Sequence, residues 1–205
     1  MKKLGILFII VVLLNTAVSG QELTIEVTGY VTSVENGSGL PDLIEVGALM
    51  SGSCSYDLDS PDLFPGADYD YYGKYELNTM KMCINAYVFN NGSSTPTLRI
   101  GVGDETYLAK CLDGQALYGG QILSGILADI VLFDLCNASI SRENDLIPTS
   151  MPDIDFFYYR NEFSVEFEGI TISGVLDSIE VIPEPCSVVL LGLGSIALLR
   201  RRRLG

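Results

Sequence analysis

The chain reads as an all-β protein with a single antiparallel β-sandwich-like domain. Apolar residues recur at every second position in one stretch after another, the period of a half-buried strand. Turn signals rich in Gly, Asn and Asp separate those stretches at short intervals. With both termini set aside, about 160 residues remain, which suits one domain.

Taken in order, Leu23, Ile25 and Val27 alternate with Thr24, Glu26 and Thr28. Gly29 resets the phase before Tyr30 to Val34, the mark of a bulge. Met50, Gly52, Cys54, Tyr56 and Leu58 share a second alternating face. Strand text continues through Tyr75 to Phe89, Thr97 to Val102 and Thr106 to Lys110, broken by Asn91-Gly92 and Gly103-Asp104. Gln121 to Leu135 carries apolar residues at a spacing that also fits a helix, and strands are expected there. Glu162 to Phe167 and Ile170 to Val181 alternate cleanly about Gly169. This patterning places Val27, Val46, Ile100, Phe133, Phe163 and Phe167 in the core. Asn36, Asn91 and Asn137 each open an Asn-x-Ser triplet and are read as turns.

Both termini are apolar segments flanked by charge. Residues 1–20 have the form of a signal peptide: Lys2 and Lys3, an apolar run from Leu4 to Leu14, then small residues at Ala17, Ser19 and Gly20. Residues 21–180 are the expected exported domain. Residues 181–205 hold three ordered parts: Pro183-Glu184-Pro185, an apolar run from Cys186 to Leu199, and Arg200, Arg201, Arg202 and Arg203. The run of about 14 residues makes a helix of roughly 21 Å, short for a bilayer core of about 30 Å. Snorkelling arginines and local thinning allow it to span. The arginines belong on the cytoplasmic side, so the Pro-Glu-Pro triplet lies outside, held extended by its prolines. The fold expectation therefore includes an N-terminal signal helix and a C-terminal transmembrane helix.

This tail resembles the PEP-CTERM sorting signal of Gram-negative and related bacteria. The resemblance implies recognition by exosortase, a membrane-embedded cysteine transpeptidase that removes the tail and passes the body outward. Ser51 to Asp62 and Asn144 to Glu168 are similar to parts of exported bodies that precede such tails, a likeness that brings no activity with it. The implied partners are exosortase and the secretion machinery, with the membrane as a transient one. The implied location is the inner membrane first, then the cell envelope or the extracellular space.

Composition narrows what the body can do. The chain has 12 basic and 26 acidic residues, a net charge of −14. Without Lys2, Lys3, Arg200 to Arg203 and Glu184, 6 basic and 25 acidic residues remain, a net charge of −19. Such a surface repels nucleic acid, so no nucleic-acid partner is expected. The chain has no His and no Trp, which excludes histidine catalysis and histidine-ligated metals. Cys54, Cys83, Cys111 and Cys136 are candidates for disulfides in an oxidising compartment, with three connectivities open, or for buried free thiols.

Asp57, Asp59, Asp62, Asp68 and Asp70 crowd one loop, and clustered carboxylates are what calcium coordinates. The spacing lacks the Gly and the bidentate Glu of an EF-hand, so a solvated acidic loop is the plainer reading and no cofactor is required. Tyr69, Tyr71 and Tyr72 beside it could stack on a sugar. No nucleophile elbow, phosphate loop or metal-ligand spacing occurs. The expected protein is a non-catalytic envelope or extracellular-matrix component, not an enzyme. The alternative is a secreted carbohydrate-binding or carbohydrate-active protein, in which calcium could take part and extracellular polysaccharide would be the partner.

Overall fold

A computed structural model describes residues 22–36, 44–63, 72–101, 105–137, 151 and 153–183. The expected signal helix and transmembrane helix lie outside them. Among the described residues no helix is long and apolar enough to cross a membrane.

Ten strands carry the fold: β1 (Glu22–Glu35), β2 (Leu49–Asp57), β3 (Tyr72–Glu76), β4 (Thr79–Ile84), β5 (Tyr87–Asn90), β6 (Thr97–Gly101), β7 (Glu105–Tyr118), β8 (Gln121–Asn137), β9 (Arg160–Phe167) and β10 (Ile170–Pro183). They form one sheet in the order β3-β6-β7-β5-β4-β2-β1-β10-β9-β8, and β7 also pairs with β8. That last pairing closes eight strands into a ring; β6 pairs with the first part of the β7 edge whose later part pairs with β5, and β3 lies beyond β6. Every pairing is antiparallel. The all-β antiparallel expectation therefore holds, but the two sheets of a sandwich are here one sheet closed on itself. Closure removes edges that a sandwich would leave open.

The barrel is flattened and filled. Leu132 on β8 and Gly52 on β2 lie on opposite sides of the ring, yet a Cβ added to Gly52 would come within 2.2 Å of Leu132 Cδ1. Leu132 enters because β8 bulges there: Val131 faces Ser164 and Asp134 faces Glu162, so Leu132 and Phe133 share the space opposite Phe163. Both side chains are fully buried. Rings also meet across the interior, with Phe89 and Phe167 centroids 5.1 Å apart and tilted by 52°. Each such side chain stabilises the fold by about 1.5–3 kcal/mol on burial.

Of the expected core residues, Val27, Ile100, Phe133, Phe163 and Phe167 are buried. Val46 is not, at 68% exposure. It sits at the tip of a turn closed by the Ala48 N–H on the Glu45 carbonyl, and Ile44 takes the inward place instead.

The bulge near Gly29 exists, but β10 carries its extra residue. Thr28 faces Ser178 while Gly29 faces Leu176, which leaves Asp177 over. In β1 the inward series continues through Gly29 to Val31, and its own extra residue is Thr32, between Val31 and Ser33. Gln121 to Leu135 belongs to one strand, not a helix. Strand β7 runs eight residues past the expected Lys110, because Leu112 and Asp113 bulge instead of turning. Asp113 takes the left-handed conformation at φ 55°.

Candidate functional site at one pole of the barrel

The registers gather both ends of the described body at one pole. Glu22 faces Asp57 and Leu23 faces Pro183, so the start of β1, the end of β2 and the end of β10 lie side by side. The same pole takes the end of β8 and the start of β9, where Cys136 faces Arg160. Both Pro/Asp-rich connections, after β2 and before β9, therefore leave and re-enter here. The opposite pole has tight turns at Asn85-Ala86, Gly119-Gly120 and Glu168-Gly169.

The segment before β9 stoppers this pole. A single 3-10 turn at Ile154–Phe156 is started by Asp153, whose side chain accepts the Asp155 N–H. It delivers Phe157, fully buried, edge-on to Tyr107 with centroids 5.8 Å apart. The buried Asn137 donates from Nδ2 to the Phe156 carbonyl at 2.7 Å and pins the turn to the end of β8. Asn137 is thus the last residue of a strand, not a turn residue. Tyr158 and Tyr159, the next two residues, are 65% and 64% exposed.

At the rim, Asn78 links two carboxylates. Its Nδ2 donates to Glu22 Oε1 at 3.1 Å and to Asp57 Oδ1 at 3.2 Å. Its own N–H is held by the Ser55 carbonyl at 2.7 Å. Like charges directly opposite in a ladder repel, and one amide with two N–H groups offsets that cost. Glu26 and Glu180, both exposed, face each other further along the same two strands as Leu23 and Pro183. Lys81 brings a positive charge to this outer face, opposite Ser53.

The other expected sites fall as follows. Asp62 Oδ1 accepts the Lys74 backbone N–H at 2.9 Å, and Asp59 is exposed. Asp57 and Asp62 thus face separate partners, and among the described residues no group of three or more acidic or cysteine side chains could hold a metal ion. Asp68 and Asp70 lie outside the described residues, as do Tyr69 and Tyr71. Of the Pro-Glu-Pro triplet only Pro183 is described; Glu184, Pro185 and Arg200 to Arg203 lie outside. Pro183 is the last residue of β10, so the body reaches three residues past the expected boundary at 180 and meets the triplet without a linker.

All four cysteines stand in strands, as expected, but the structure has them as free thiols. Cys54 faces Met80 and Ile25, while Cys83 faces Ser51 and Val88. On β7 and β8, Cys111 faces Ile130 and Cys136 faces Thr106. No two are cross-strand partners, and a disulfide needs Cα atoms closer than about 7 Å. Burial pushes the Cys54 thiol from 9.0 up to about 12. Burial, then Cys54 and Tyr107, push the Tyr56 phenol up as well.

The Cys54 thiol gives a stability prediction. Folded Cys54 keeps its proton up to about pH 12, whereas the unfolded thiol loses it near pH 9.0. The folded state therefore binds more protons between those values, and stability, intact below pH 9, falls as pH rises through the window. For a fully buried thiol the loss approaches about 4 kcal/mol. Urea midpoints measured from pH 8 upward should drop accordingly, and Cys54→Ala should flatten that drop. An unchanged slope in Cys54→Ala would remove Cys54 as its source.

Sequence reasoning missed Asn78, Glu22, Asn137 and the Phe157 stopper. Asn78 and Glu22 lie 56 positions apart and meet only through the strand register, so no local signal marks them. The Gly119-Gly120 turn was also missed, though a signal exists: paired glycines between strands suit two left-handed residues, here at φ 57° and 81°. Comparison with protein-family models, with curated proteins and with solved structures finds no match.

Proposed function

We propose that the chain is a non-catalytic exported envelope or extracellular-matrix protein, with the barrel as cargo and the C-terminal segment as a PEP-CTERM signal removed by exosortase. One observation carries the reading. Pro-Glu-Pro, an apolar run and four arginines follow one another in the order that extended recognition outside, helix within and charge inside demand. The Glu22–Asp57 pair is consistent with a non-catalytic body, because it sits on a rim and its amide partner is Asn78.

Cell fractionation with intact mass of the released protein tests this. The expected species lacks residues 1–20 and the tail from the Pro-Glu-Pro triplet onward. A released protein that keeps its arginines, or a chain found only as full-length membrane protein, overturns it.

The exposed pair Tyr158 and Tyr159 favours a second reading, polysaccharide binding at this pole. Retention on immobilised extracellular polysaccharide, lost on replacing both tyrosines with Ala, would establish it; no retention removes it.

A further inference from the structure

The end of β10 is both the last strand of the barrel and the entrance to the sorting triplet, and its two edges are held unequally. On one edge, Ser178 to Pro183 face Thr28 to Leu23 without a break in register. On the other edge the pairing with β9 stops at Val175, opposite Glu162, and no strand continues it among the described residues. The extra residue Asp177 marks where this one-sided segment begins. Its partner β1 is fixed more firmly: the same residues of β1 also pair with β2, Leu23 with Tyr56 and Ile25 with Cys54. Leu23 and Ile25 are buried in the core. If this junction opens, β10 gives way and β1 stays.

An enzyme that grips its substrate as an extended peptide inside a cleft needs both edges of that peptide, and here the ladder with β1 holds one of them. Pro183 is still in the ladder, opposite Leu23. We propose that the β1–β10 ladder gates removal of the tail: the enzyme gains its full grip only when Val181 to Pro183 peel away from Leu23 to Ile25. This inference rests on the sorting reading above and adds its control point. Local opening of a strand end costs far less than global unfolding, so the barrel survives each event. The rate of tail removal follows the fraction of molecules in the open state.

A reversible staple tests the gate. Thr24 and Ile182 are direct cross-strand partners on the outer face, so Thr24→Cys with Ile182→Cys places two thiols within disulfide reach. Full-length chains are followed in a host that carries the exosortase, with precursor and product resolved by immunoblot and intact mass. The stapled chain should lose its tail more slowly, on the order of tenfold or more, and a reductant should restore the parent rate. Gly-Ser-Gly-Ser inserted between Ile182 and Pro183 moves the triplet out of the ladder. That insertion should speed tail removal on its own and abolish the effect of the staple. A stapled chain processed at the parent rate, an insertion no faster than the parent, or a stapled insertion chain as slow as the staple alone each overturns the gate and leaves the sorting reading standing. A parent chain that never loses its tail overturns both.

Discussion

Gly174→Val is expected to unfold the body or lower its melting temperature by about 10 °C. Gly174 lies on β10 between Val31 of β1 and Phe163 of β9. A Cβ there would sit 2.2 Å from the Tyr30 carbonyl oxygen and 2.3 Å from the Phe163 ring. Neither can yield, because Tyr30 is ladder backbone and Phe163 is buried at 1% exposure. Overpacking of this kind costs about 3 kcal/mol or more, a large share of the roughly 5–15 kcal/mol that holds a domain together. For a body of this size, 1 kcal/mol moves the melting temperature by about 2–4 °C. Gly119→Asn is the control: Gly119 is at φ 57° with nothing within 4 Å of an added Cβ, and Asn tolerates that conformation. Thermal melts that rank the two variants equally would contradict the packing described.

Glu184→Ala is expected to block tail removal and trap the precursor in the membrane. The described barrel ends at Pro183, and the apolar run begins at Cys186, so neither folding nor insertion should change. Both flanking prolines remain, and only the carboxylate of the triplet is lost. Replacing Arg200 to Arg203 with Ser should act differently. Each arginine near anionic headgroups contributes about 1 kcal/mol, and without them the apolar run, short for a bilayer, should slip through and release unprocessed chain. Membrane-bound precursor in the first variant and released precursor in the second would separate recognition from orientation. A Glu184→Ala chain processed like the parent would leave the tail as a plain anchor.

Two features at this pole came from different levels of organisation. The strands were legible because side-chain alternation is a local consequence of the pleat: Leu23, Ile25 and Val27 point inward wherever the sheet lies. The order of proline triplet, apolar run and arginines, on which the proposed sorting function rests, is itself linear. Closure of the barrel was not legible, since it depends on Glu105 to Tyr118 pairing with β8 on one side and with β5 and β6 on the other. Bulges were legible only in part. Gly29 signalled one, but the residue left over, Asp177, sits 148 positions away on the partner strand, where periodicity within β1 cannot see it. Alternation likewise put Val46 inside, because it carries no information about a turn closed by Glu45 and Ala48.

By itself, then, the sequence determined that the body is antiparallel β and which faces of its strands are apolar. The tertiary structure decided that the sheet closes and that Asn78 holds Glu22 beside Asp57. It also set Pro183 in the ladder opposite Leu23. The reason is physical: alternation and motif order are written in neighbouring residues, whereas register joins residues far apart in the chain and is fixed only when the whole core packs.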